Sequence, residues 1–259
     1  MENKYDEPHI AEIYDQIEKK TDDIPLLLKL IRQNHLHKIL EPFCGTGRIL
    51  LPLVEAGFDL VGIDQSKSML QRLESRLQEQ NLKAKLIHAD VLKTDWPREF
   101  DLVILGGNSF YEFGSGSEQE LCIKKAAESL KSDGFVYVEN DNMEGKLDKS
   151  WQVIETKEHW FPSGVCKDGT RLETAVTTKS FDENERIWQA ERVTEITYPD
   201  GTKKTIIQET QTHPSSAVDI QKWLEKYGFE VLGKYSGTKQ EPYFSGCKRA
   251  IFWTQKKLS

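Results

Sequence analysis

Between Lys38 and Asn140, short β-branched apolar runs alternate with amphipathic stretches, and this alternation limits the possible folds more than any other feature. Lys38-Ile39-Leu40-Glu41, Leu60 to Asp64, Ala84 to His88, Asp101 to Leu105 and Phe135 to Glu139 read as strands. Arg48 to Ala56, a segment after Ser66 bearing Leu70, Leu73 and Leu77, and Glu118 to Leu130 read as helices. Continuous apolar runs suit strands covered on both faces. Strands alternating with helices at this spacing predict an α/β, Rossmann-like parallel sheet with helices on both sides.

The flanks follow other rules. His9 to Lys20 carries Ile10, Ile13, Tyr14 and Ile17 at helical spacing. A second helix has Ile24, Leu27, Leu28 and Ile31 on one face, with Pro25 in its first turn. From residue 146 to 212 the helical spacing disappears. Arg192-Val193-Thr194-Glu195-Ile196-Thr197-Tyr198 alternates in strand fashion, and Asp182-Glu183-Asn184 and Pro199-Asp200-Gly201 are turn signals. An antiparallel β-meander of three or four strands is expected there, inserted late into the α/β unit. Ser215 to Tyr227 returns to helix, and Phe229 to Lys234 and Cys247 to Thr254 supply two closing strands. The expected plan is N-terminal helices over 1–36, a core from 37–145 and 213–259, and the insertion over 146–212.

A net charge of −7 disfavours a phosphate backbone as partner. No apolar run reaches membrane-spanning length, and Met1 to Glu7 is polar, so no membrane association and a cytoplasmic location are expected. Cys44, Cys122, Cys166 and Cys247 are scattered, which argues against a zinc or disulfide framework. His35 and His37 read as a surface pair rather than metal ligands, and no metal is expected. The chain is expected to be a monomer or homodimer.

The chemistry begins at Glu41-Pro42-Phe43-Cys44-Gly45-Thr46-Gly47, between the first strand and a helix. Glycines allow a tight turn and a close backbone approach to a ligand, and a helix start presents free N–H groups. A plain strand–helix turn would look the same. Asp64, ending the next strand, can accept both hydroxyls of a ribose or serve as a helix cap. Asp90, after the third strand, can receive an adenine amino group while the Val91 N–H meets a ring nitrogen; alone it is an ordinary loop residue. The three recur after consecutive strands, which favours an adenosine site. Arg48-Ile49-Leu50 supplies neither the third glycine of a dinucleotide loop nor the Gly-Lys of a phosphate loop, so a nucleoside without pyrophosphate fits best.

These motifs, with Val61-Gly62-Ile63-Asp64, His88-Ala89-Asp90 and Phe100-Asp101-Leu102-Val103, resemble those of class I S-adenosylmethionine (SAM)-dependent methyltransferases. The resemblance implies a seven-stranded mixed sheet with its last strand antiparallel, SAM as cofactor, and methyl transfer to a small-molecule N or O acceptor, as in glycine- and sugar-type N-methyltransferases. It implies that Gly45 and Gly47, in a cofactor-binding motif shared with Glu41 and Thr46, contact the methionine part, Asp64 the ribose, Gln65 or Met69 a face of the adenine and Asp90 its amino group. Gly106 would lie near the methionine amine, and Tyr14 of the N-terminal helices would cover the methionine carboxylate. The acceptor would sit at the ends of strands four and five beneath the meander, near Asn108, Phe110, Tyr111, Asn140, Asn142, His159, Trp160 and Arg171. His213, at the join of meander and helix, is the general-base candidate, since a neutral imidazole can take a proton near pH 7. Each of these also has a structural reading. The alternatives are an RNA or protein methyltransferase, a nucleotide-sugar or NAD enzyme on a related sheet, and a non-catalytic SAM-binding protein.

Overall fold

The computed structural model describes residues 6–145, 147 and 152–257, without the side chains of Tyr111 and Glu112. Seven strands form one sheet in the order β11-β12-β5-β4-β1-β2-β3. They are β1 (Lys38–Pro42), β2 (Asp59–Asp64), β3 (Lys85–His88), β4 (Phe100–Leu105), β5 (Leu130–Asp141), β11 (Phe229–Tyr235) and β12 (Arg249–Lys256). β1 to β5 pair in parallel, and β12 runs antiparallel to both β5 and β11. The mixed sheet with its last strand reversed is therefore present.

Helices α2 (Ile24–Gln33), α3 (Leu50–Glu55) and α4 (Lys67–Glu79) cover one face, and α5 (Gly116–Ser129) and α6 (Ala217–Lys226) the other. Two apolar layers result. One joins Leu27, Ile31, Leu50 and Leu73 to Ile39, Leu102 and Tyr137; the other joins Cys122, Ile123, Ile220 and Leu224 to Leu40, Val103 and Val136. No helix among the described residues is long and apolar enough to cross a membrane.

Some boundaries differ from those read in the sequence. β5 spans twelve residues rather than five. Leu130 already pairs with Phe100, and antiparallel pairing to β12 continues out to Asp141. α3 begins only at Leu50: Cys44 to Gly47 form a turn closed by Gly47 N–H to Cys44 O, and the left-handed Gly47 cannot belong to a helix.

The second sheet consists of β8 (Arg171–Asp182), β9 (Ile187–Thr197) and β10 (Lys203–Thr212), with short β6 (Thr156–Lys157) and β7 (Gly164–Val165) both pairing with β8. Three long antiparallel strands thus form the meander, turned at the two signals seen in the sequence. Alternate residues face inward, as the two-residue period of a strand requires. Leu172, Thr174, Val176 and Thr178 of β8 and Ala190, Thr194 and Ile196 of β9 are buried. At one end of this inner face, Leu172 and Ile196 pack on Ile10 and Ile13 of α1 (Pro8–Ile17). The segment leaves the core at Met143 and rejoins it at Ser215, and the two positions touch: Met143 N–H donates to Ser215 O at 3.2 Å, and Ala217 N–H to Asn142 Oδ1 at 2.8 Å.

Candidate active site

The loop after β1 is tightly determined. Pro42 closes the strand without a donor, and pairing resumes with Cys44 N–H to Ile63 O at 3.1 Å. Phe43, Gly45 and Gly47 have φ of 66°, 52° and 88°, in the left-handed region. Gly47 has a second reason to lack a side chain, since an added Cβ would overlap Leu73 Cδ1 of α4. At Gly45 an added Cβ would meet open space.

Asp64 joins this loop to the next helix. Its Oδ2 accepts Gly45 N–H and its Oδ1 accepts Ser66 N–H, both at 2.8 Å. Ser66, not Asp64, caps α4, accepting Met69 N–H at 3.1 Å. Burial raises the Asp64 carboxyl above its usual range, and the two N–H groups oppose that only partly. Met69 is buried beneath α4's start, whereas Gln65 is exposed. Asp90 accepts Leu92 N–H at 3.0 Å and pairs with Lys93 Nζ at 2.8 Å. Burial would raise its carboxyl, but the Lys93 bond and the Leu92 N–H outweigh it and set it below the usual range. Val91 is buried, with its carbonyl accepting Trp96 Nε1.

Glu41, next to last in β1, is 4% exposed, and its Oε2 has no partner. Arg48, a residue sequence reasoning passed over, stands beside it. Its guanidinium meets buried Asp23 through two bonds of 2.8 Å and also donates to Lys20 O. It lies against Gly107, where an added Cβ would come within 3.1 Å of Nη2. Gly106 is backed by Ile49, leaving no room for a side chain there. Thr46 is buried, and its carbonyl accepts Arg76 Nη1 at 3.0 Å. Arg76 and Arg72 also hold Asp15 of α1, so that helix is tied to the loop's support. Tyr14, half-buried on α1, packs edge-on against Phe161 at 6.1 Å.

The acceptor candidates are not all brought together. Asn108 (φ 60°) clamps the loop after β4 to the end of β5, donating to Asp141 Oδ2 and accepting Asp141 N–H. Tyr111 lies in the 3-10 turn Ser109–Glu112, and its side chain is outside the described set. Asn140 is buried, donating to Ser215 Oγ at 3.1 Å, while its Oδ1 has no partner. Asn142 holds the start of α6, and Phe110 packs in the α5–α6 layer. His159 has a left-handed φ of 55° in the loop between β6 and β7. Trp160 is 43% exposed with Lys157 over its ring, and Arg171 is exposed at the outer end of β8.

His213 is a clamp. Gln119 Nε2 donates to both Phe110 O and His213 O, so its Oε1 is left to face His213 Nδ1 at 2.8 Å. The Nδ1 therefore carries the proton, and Nε2 is packed against Gly116. Burial lowers the imidazole's pKa, with Asp219 opposing.

Arg192 is the second residue the sequence did not single out. It lies on the inward face of β9, between buried Ala190 and Thr194. Its Nη1 donates to Phe161 O, its Nε is buried without a partner, and no carboxylate pairs with it among the described residues. Glu41, Asn140 and Arg192 hold the three buried side-chain atoms without partners among the described residues. Two of them lie next to last in core strands and the third faces inward from the meander.

Residues 39–134 match the model of a methyltransferase domain. The glycine N-methyltransferase of Mus musculus is 30% identical over 172 residues, which cover 60% of this chain and 57% of that enzyme. The chain thus spans little more than half the length of that relative. Among solved structures, a SAM-dependent methyltransferase from Clostridium acetobutylicum superposes with a TM-score of 0.76 at 16% identity, over 96% of this chain and 98% of the other. A sugar N-methyltransferase from a Streptoalloteichus species gives 0.68 at 18% identity, over 94% and 91%. These two likenesses are of fold, and they extend through both sheets.

Proposed function

We propose that this chain, whose residues 39–134 match a methyltransferase domain, acts as a class I SAM-dependent methyltransferase and methylates the nitrogen of a small acceptor that carries an anionic group. The observation that carries the acceptor reading is Arg192, an inward-facing guanidinium with a buried, unpartnered Nε and no paired carboxylate among the described residues. An unpaired buried donor is costly unless a ligand completes it. The relative acting on glycine is consistent with an amine acceptor bearing a carboxylate.

The residues at the end of β1 suit the cofactor. Glu41 Oε2 is an orphaned acceptor, which suits a cationic amine, and Gly45 leaves open space at the turn. Glu41, Gly45 and Gly107 would hold the methionine end, Asp64 the ribose, and Gln65, Met69, Asp90 and Val91 the adenine. SAM supplies a methyl group already made electrophilic by its sulfonium. The protein's part is alignment and exclusion of water. Tyr14 and Phe161, packed edge-on, would wall the acceptor site from the α1 side, and the Thr174–Thr194 hydroxyl pair, 2.9 Å apart, gives the meander a polar inner face. Arg192 would fix the acceptor's anionic end. Asn140 Oδ1, a free acceptor at the end of β5, would take an amine N–H and turn the nitrogen lone pair toward the methyl. A neutral amine needs no general base to attack, which agrees with the commitment of His213 to Gln119.

The test is methyl transfer from labelled SAM to a panel of glycine, sarcosine, other amino acids, their amides and amino sugars. Labelling of amines with a free carboxylate, and not of their amides, is expected. Equal labelling of acids and amides would remove the anionic requirement, and labelling of bulk RNA or protein alone would reject the small-acceptor reading.

A further inference from the structure

Glu41 is the most demanding of the three orphaned groups. Its carboxyl is almost wholly buried and receives one backbone bond, from Leu50 N–H, while Oε2 has nothing. Three charged groups face it: Arg48 from the turn before α3, Asp23 from the start of α2 and Asp64 from the end of β2. Arg48 is committed to Asp23 by two hydrogen bonds, so that pair is close to neutral. Asp64 remains, and the surroundings are negative. An ionised carboxylate there would be desolvated, unpaired and repelled; a neutral carboxyl leaves one O–H unpaired instead.

We infer that Glu41 holds a proton in the ligand-free protein and releases it when an α-ammonium group docks against Oε2. The inference rests on the cofactor reading above. The balance is simple: a carboxylic acid and an ammonium become a carboxylate–ammonium pair, and one proton goes to solvent. Burial pushes the Glu41 carboxyl well above its usual range and Arg48 restores only part of the difference, in agreement with the geometry. Since the bound state carries fewer protons, affinity for an ammonium-bearing ligand rises with pH until Glu41 is ionised in the free protein as well.

The experiment is calorimetric titration of the full chain with S-adenosylhomocysteine, in pairs of buffers of different ionisation enthalpy, from about pH 5 to about pH 7.5. Proton release is expected to rise to a maximum approaching one per site. Titration with 5′-deoxy-5′-methylthioadenosine, which keeps ribose and adenine but has no ammonium, is expected to release none. That control matters because Asp64 is also raised by burial. The Glu41→Gln variant is expected to bind methylthioadenosine as the parent does and to release no proton with S-adenosylhomocysteine. Buffer-independent heats with S-adenosylhomocysteine, or equal proton release with methylthioadenosine, would overturn the inference while leaving the cofactor reading intact. Absence of S-adenosylhomocysteine binding at every pH would remove both.

Discussion

Asp64 shows how a single side chain can organise two elements. Both its oxygens already accept backbone N–H groups, one from the glycine loop and one from the α4 entry, so the carboxylate is aimed before any ligand arrives. Asp64→Asn keeps the shape but replaces one acceptor with a donor facing an N–H. It should weaken S-adenosylhomocysteine binding by about 1.5–3 kcal/mol, measured by calorimetry; unchanged affinity would mean that the ribose lies elsewhere. Positions of this kind were legible in the sequence because their cause is local. The glycines at 45 and 47 and the aspartate at a strand end follow from backbone geometry within a few residues. Arg48 was not legible. Its partner Asp23 lies twenty-five positions earlier and resembles an ordinary helix start, so only the folded arrangement pairs them.

At the scale of elements, α1 is the shared member. Asp15 ties it to Arg72 and Arg76 of α4, and Ile10 and Ile13 tie it to the inner face of the meander. Arg192 is reached through the same region, by way of Phe161 and Tyr14. Arg192→Gln should raise the acceptor's KM at least about tenfold, the loss expected for a charge-assisted bond, with S-adenosylhomocysteine affinity unchanged. Steady-state kinetics and calorimetry together separate these; a lowered melting temperature with unaltered KM would make Arg192 purely structural. The strands of the meander were readable from their two-residue alternation, but which of two arginines faced inward was not. Alternation puts Arg192 on the face of Ala190 and Thr194, but only packing in the fold shows that this face turns inward while Arg171, on the opposite face of β8 from Leu172, is exposed. The length of β5 was obscured for a similar reason, since its ends are defined by partners in β4 and β12.

For the whole molecule, two buried groups pull stability in opposite directions with pH. His213 is lowered from an ordinary value of 6.5 by burial, so the unfolded chain takes up its proton first as pH falls. Its contribution is present above about 6.5 and is lost as pH falls through the folded value. Glu41 is raised from 4.5, so its contribution is present below that value and is lost as pH rises through the folded one. Melting temperatures measured across this range should show a weaker acid-side decline in His213→Gln than in the parent; an identical decline would mean that the imidazole titrates alike in the folded and unfolded chain. The general-base reading of His213 would in addition require a pH dependence of kcat that His213→Gln removes. The contact between Met143 and Ser215 bears on how such a molecule diversifies. The meander departs and returns through positions one hydrogen bond apart, so its length is nearly decoupled from the geometry of the core. Lineages could exchange this cassette, or lose it for a tight turn, while inheriting the donor pocket unchanged, and α1 and the loop around Gly114, which Gln211 bonds, are pieces that would have to co-evolve with each replacement.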